Sequence, residues 1–418
     1  MKISYVTAHE ILDSNGRPTI EVEVGLDDGT TALGQVPSGA STGSKEAIEL
    51  RDHDDKRYFG KGVLKAVENV ETHISQALEG QDANDQAAID QILLDLDGTD
   101  NKSRLGANAM VGTSMAVCRA AALSTKNPLY QYLGEITGNQ TFSMPAPMIL
   151  LMEGGKHGNW ATDIQEFCVF PLTGAFASFR ETLRAGAEIF HTLGQILANK
   201  NYDVGVGFEG AYAPKQLSSN AEAFDIIMSA VEQSGYTMGR HFVFAIDIAA
   251  SEFFHDGTYI LASEDNKEMT PDAWERQVLD WANQYPIWSI EDPFDEQDWA
   301  HWSHFNQTLN NTKQVVGDDL VVTNVALIQQ AIEQKAMNAT LIKLNQIGTV
   351  TETLAAITLS QKAGFNSVIS HRSGETNDNF IADLAVGTVA NQCKFGGPDR
   401  GERLAKYNRL LRIENELR

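Results

Sequence analysis

The chain has 418 residues, 42% of them hydrophobic and 21% charged, a composition that suits a globular protein with a large core and excludes disorder or low complexity. A net charge of −24 argues against nucleic acid or an anionic membrane surface as a partner, although a local cluster of cations can still receive a small anionic substrate. Three cysteines, Cys118, Cys168 and Cys393, lie far apart without metal-ligand spacing, which points to a reducing, cytoplasmic setting; no signal segment and no apolar run of membrane-spanning length is expected.

In chain order, Thr19–Val24 alternates apolar and polar residues, and Asp28-Gly29 is a hairpin signal. Residues 1 to about 60 read as strands with turns and residues 62–132 as helices, including the Ala-rich stretch Ala107–Leu123. This describes an α+β unit, assigned to residues 1–133. After a polar connector near residues 134–141, strand-like and helical runs alternate to the C-terminus, which assigns residues 145–418 to a second domain.

Five short apolar runs in that second part each close on an ionisable side chain: Phe242–Asp247, Pro286–Glu291, Gln314–Asp318, Ala339–Lys343 and Asn366–His371. The closing residues are separated by 44, 27, 25 and 28 positions, and the last three intervals are the period of a strand, a helix and two loops. Thr349-Val-Thr-Glu352 is a capping box that opens a helix running to Lys362, with Gly364 as its stop. Parallel strands ending in charge describe a (β/α) barrel with its chemistry at the C-terminal mouth.

Three carboxylates, Asp247, Glu291 and Asp318, offer oxygen donors only, which select Mg²⁺ or Mn²⁺ over zinc. Lys343 and His371 follow on the next two strands, and Lys394 comes later. An ammonium desolvated near other cations has a lowered pKa and can act as a base, so the set predicts proton abstraction α to a carboxylate.

With these residues the sequence resembles the enolases over nearly its whole length. Pro37–Gly43 (PSGASTG), Asp163–Phe167 (DIQEF), Ser289–Pro293 (SIEDP), Val316–Leu320 (VGDDL), Leu341–Gly348 (LIKLNQIG) and Ser370–Glu375 (SHRSGE) fall in the enolase order and spacing. The resemblance implies an α+β domain capping a (β/α)8 barrel that opens ββαα before (βα)6, and a homodimer or octamer of dimers. It also implies reversible dehydration of 2-phosphoglycerate to phosphoenolpyruvate, with a lysine base and two Mg²⁺ ions, a division of labour general to the enolase superfamily and carried over from it.

Residue by residue, the resemblance implies that Asp247, Glu291 and Asp318 hold the first Mg²⁺ and that Ser41 helps to bring in the second with the phosphate. Lys343 would remove the C2 proton, and Glu209 would protonate the departing C3 hydroxyl. His157, Gln165, Glu166, His371, Arg372, Ser373 and Lys394 would contact the substrate, with Glu166 and His371 also among the catalytic groups.

The sequence departs from the enolase pattern at three places. Glu153 stands where enolases carry Asn before the loop histidine, Gly207-Phe-Glu-Gly-Ala211 replaces Gly-Asp-Glu-Gly-Gly, and Asn15 and Arg17 have exchanged places. Phe208 is expected to raise the pKa of Glu209 or alter its aim, and Ala211 to strain a turn that needs positive φ. These departures prompt an alternative, a paralogue acting on a related phospho- or phosphono-carboxylate; a scaffold that binds without catalysis is a third reading. Superfamily branches with an early Lys-x-Lys pair fit poorly, since the chain contains none.

Overall fold

The computed structural model describes residues 1–40 and 43–418. Strands β1 (Ile3–Leu12), β2 (Pro18–Leu26) and β3 (Thr31–Gln35) form an antiparallel meander. Ile20, Val22 and Val24 of β2 turn one fully buried face toward the helix Ala107–Ser124. The approach is close because both sides are small: a Cβ at Gly34 would lie 2.3 Å from the Gly112 carbonyl oxygen. Strand structure stops at Gln35, earlier than the sequence pattern suggests.

Beyond it the chain leaves the sheet and pairs with the second half of the molecule. Ser38 and Gly374 exchange backbone hydrogen bonds of 2.7 and 2.8 Å, and Ala40 N–H donates to Ser373 Oγ at 2.7 Å. Arg119 of the long helix clamps Asp378 through two bonds of 2.9 and 2.7 Å. The N-terminal segment is thereby fixed over one end of the second half.

That second half is a closed eight-stranded barrel. Its strands are β4 (Ala146–Glu153), β5 (Glu166–Pro171) and β6 (Phe242–Asp247), then, after a small hairpin sheet β7 (Phe254–His255), β8 (Thr258–Leu261) and β9 (Lys267–Met269), β10 (Ile287–Glu291), β11 (Gln314–Gly317), β12 (Ala339–Ile342), β13 (Asn366–Ser370) and β14 (Gln392–Lys394). β4, β5 and β6 pair antiparallel, and every other neighbouring pair is parallel. Helices Phe179–Asn199 and Asn220–Gln233 separate β5 from β6, so the barrel opens ββαα.

The strands are apolar on both faces, as a barrel covered by helices requires. Met148, Leu150, Cys168, Ala245, Val316 and Leu341 fill the interior, while Ile149, Phe167, Phe244, Ile290 and Ile369 face the helices. The predicted capping box is formed: Thr349 Oγ1 accepts from Glu352 N–H at 3.1 Å and donates to its carboxylate at 2.8 Å.

Candidate active site

Every barrel strand places an ionisable side chain at the same mouth. Asp247, Glu291 and Lys394 end β6, β10 and β14, and Asp318, Lys343 and His371 immediately follow β11, β12 and β13. β4 ends in Glu153, and β5, running the other way, begins with Glu166 at the same level, paired to Glu153 and Asp247. A small pocket there is lined by His157, Gln165, Glu166, Glu209, Asp247, Lys343, Ser370, His371, Arg372, Ser373 and Lys394. Glu291 and Asp318 stand against it through the two lysines. Ser41 lies outside the described residues.

On one wall, Lys394 Nζ donates to Glu166 at 3.1 Å, Asp247 at 3.1 Å and Glu291 at 2.8 Å. Lys343 Nζ donates to Asp318 at 2.5 Å, and Gln346 holds the other Asp318 oxygen at 2.8 Å. Each of the three carboxylates is thus drawn to an ammonium, Asp247 and Glu291 to the same one, which relieves the repulsion they would otherwise have when buried. Lys343 departs from expectation. Burial lowers its pKa, but Asp318 outweighs burial and raises it above the usual lysine value.

The opposite wall carries Glu209. His371 Nε2 approaches one of its oxygens at 3.1 Å and His157 Nδ1 the other at 3.3 Å; Glu166 is 4.0 Å from His157. Burial pushes His371 down to about 3 and lowers His157 as well, so both rings are neutral. Burial and the Glu209 charge push Glu166 well above the carboxylate range, whereas for Glu209 electrostatic attraction to His371, His157 and Arg403, with the His371 contact, outweighs burial and holds it low.

Phe208 does not act as expected. Glu209 is pushed down rather than up, because polar partners face it; Phe208 lines the neighbouring cleft instead of the pocket, with the Arg17 guanidinium 6.0 Å from its ring centre. Ala211 is not strained either: the positive φ of the turn, 79°, falls on Gly210. The turn is held from behind by Glu153, fully buried, whose carboxyl accepts from Glu209 N–H at 3.1 Å and Ala211 N–H at 3.0 Å. Gly207 is required there, since a Cβ would lie 2.4 Å from the Glu153 carboxyl carbon.

At the rim, Arg372 presents a buried guanidinium fork. Glu46, from the segment following the Gly-Ala-Ser-Thr-Gly loop, fills it with bonds of 3.0 and 3.1 Å, and Asn345 Oδ1 accepts at 2.9 Å. The fork suits any anion with two oxygens in one plane. Sequence reasoning missed both Glu46 and Arg403; neither closes a strand, and Glu46 acts through Arg372, next to the strand-closing His371, while Arg403 contacts His371 itself.

Family models decide the ancestry. That for the enolase N-terminal domain matches residues 3–133, and that for the enolase C-terminal TIM barrel domain matches residues 141–418. The chain belongs to the enolase family. Enolases are Mg²⁺-dependent, and the donor set here fits such an ion: three buried carboxylates with hard oxygen atoms, of which Glu291 is pushed well above the carboxylate range by burial and by Asp247. Among the described residues, Asp292, Asp318 and Asp319 also cluster tightly enough to hold a metal, as do His157, Glu166 and Glu209. No helix among the described residues is long and apolar enough to cross a membrane.

Proposed function

We propose that this enolase-family protein is a hydro-lyase that reversibly dehydrates 2-phosphoglycerate to phosphoenolpyruvate. The observation that carries the reading is the single pocket that has Lys343 and Lys394 on one wall, Glu209 with its two histidines on another, and Arg372 at the rim.

Asp247, Glu291 and Asp318 are the residues that would hold Mg²⁺, with Ser41 assigned to a second ion. Bound there, Mg²⁺ supplies Lewis-acid stabilisation of the charge that develops on the substrate carboxylate. Lys394 stays an ammonium, since Asp247, Glu166 and Glu291 outweigh burial and raise it well above the usual lysine value, and it adds fixed positive charge beside that carboxylate. Lys343 is the base: released from Asp318, it first gives up its own proton to solvent and then, as a neutral amine, takes the C2 proton. Arg372 and Ser373 receive the phosphate. Glu209, once protonated, gives its proton to the departing C3 hydroxyl, and His157 and His371 orient it.

A homodimer or octamer of dimers acting in glycolysis in the cytoplasm completes the proposal. Phe208 favours a second reading, a related phospho- or phosphono-carboxylate as substrate. The half-buried ring lines an open cleft that shares His157 with the pocket and is much roomier than it, space that a larger acid could use.

The deciding experiment is ultraviolet detection of phosphoenolpyruvate formed from 2-phosphoglycerate, with and without Mg²⁺, using Lys343→Ala as control. Turnover that needs both Mg²⁺ and Lys343 supports the first reading. A folded, Mg²⁺-binding protein without turnover refutes it and sends the search to larger phospho- and phosphono-acids.

A further inference from the structure

The acid-bearing turn and the histidine turn that faces it share one anchor. Arg403, on the helix Gly401–Glu416, is fully buried. Its Nη1 donates to His371 Nδ1 at 2.7 Å and to the Arg372 carbonyl at 2.5 Å. Its Nη2 donates to the Phe208 carbonyl at 2.9 Å and the Ser373 carbonyl at 2.7 Å. One planar group therefore ties residue 208 to residues 371–373 across the pocket wall.

Guanidinium donates and never accepts, so the His371 Nδ1 that faces it must carry the lone pair. A neutral ring then has its hydrogen on Nε2, the atom 3.1 Å from Glu209 Oε2. That last pair is not yet aligned as a full hydrogen bond, which is usual for catalytic contacts before substrate arrives. The glycine at 396 makes the arrangement possible, because a Cβ there would lie 2.8 Å from His371 Cε1 and 3.0 Å from Arg403 Cδ.

We propose that Arg403 is a positioning residue for the acid half of the reaction: it fixes His371 with its hydrogen on Nε2, aimed at Glu209, and grips the Glu209 turn by the Phe208 carbonyl while Glu153 grips the amides of the same turn. The catalytic consequence rests on the functional reading given above; the tautomer does not. Lysine cannot replace it, since an ammonium lacks the flat fork that reaches both turns at once.

Side-chain ¹⁵N NMR of histidine-labelled protein tests this directly, with His371→Gln used to assign the signal. The wild type is expected to show His371 Nδ1 bare and Nε2 protonated, and Arg403→Met to lose that preference. In the assay, Arg403→Lys is expected to lower kcat by roughly 10²-fold, the scale of general acid catalysis, with KM within about threefold and the acid limb of the pH profile shifted. A wild-type His371 protonated on Nδ1 overturns the proposal even if no variant folds, as does a variant with an unchanged tautomer and kcat. A wild type that shows the stated tautomer but does not turn over 2-phosphoglycerate upholds the positioning and refutes only the functional reading.

Discussion

Glu46 occupies the anion fork of Arg372, so an incoming phosphate must displace a carboxylate before it can bind. Glu46→Gln weakens that competitor. The wild-type contact has two charge-assisted bonds of 3.0 and 3.1 Å to a guanidinium whose side chain is 3% exposed. Hydrogen bonds to charged groups contribute about 1.5–3 kcal/mol net. The amide keeps one neutral acceptor, so a loss of about 1.5 kcal/mol is expected, and anion affinity rises roughly tenfold. Calorimetric titration with inorganic phosphate at fixed ionic strength measures it. The same change leaves a buried cation with a poorer partner, so the anion-free variant should melt at lower temperature and gain more from phosphate than the wild type. Phosphate affinity equal to or weaker than wild type would refute the competition.

Lys394→Met leaves Glu166, Asp247 and Glu291 buried without their shared ammonium, a loss of about 3–5 kcal/mol. The unfolded chain keeps ordinary carboxyl pKa values while the folded ones rise, so the melting-temperature deficit should be smallest near pH 5 and grow toward pH 8; a deficit independent of pH would contradict the pairing. Glu153 is pushed up to about 8 by burial and the Glu209 charge, so the folded protein binds a proton the unfolded chain has released, and stability falls as pH rises from about 4.5 to about 8. Glu153→Gln should remove that slope, gaining melting temperature relative to wild type at pH 9 but not at pH 5, as scanning calorimetry at the two pH values would show.

The barrel was legible because its parallel strands repeat at a regular interval and each closes on charge. Asp247, Glu291, Asp318, Lys343 and His371 stand where that rhythm places them. The first two strands were not legible in the same way. β4 and β5 are antiparallel and joined by a loop rather than a helix, so Glu153 and Glu166 reach the mouth from opposite chain directions and share no period. Charge balance was the other gap. The sequence shows five acids and bases in order along the chain, but which lysine meets which carboxylate depends on side-chain reach across the mouth, and that decides that Lys343 is held protonated by Asp318 rather than freed by neighbouring cations.

The departures from the enolase pattern are not scattered. Arg17, where enolases carry Asn, lies over Phe208, where they carry Asp, and Glu153 binds the amides of Glu209 and of the second changed position, Ala211. Asn15 reaches the Ser373 carbonyl at 3.4 Å, on the turn that Arg403 also holds. Each change thus meets another change or the backbone of one of these two turns, behind the acid. On the pocket side Glu209 keeps its contacts of 3.1 and 3.3 Å with His371 and His157. If Glu209 is the acid, as proposed, changes at the back of its turn should alter how firmly it is held rather than its contacts with His371 and His157. Of the changed side chains, Phe208 and Asn15 line the cleft beyond the pocket, so if that cleft takes part in binding, these are the positions at which Phe208→Asp and Asn15→Arg should alter size selectivity.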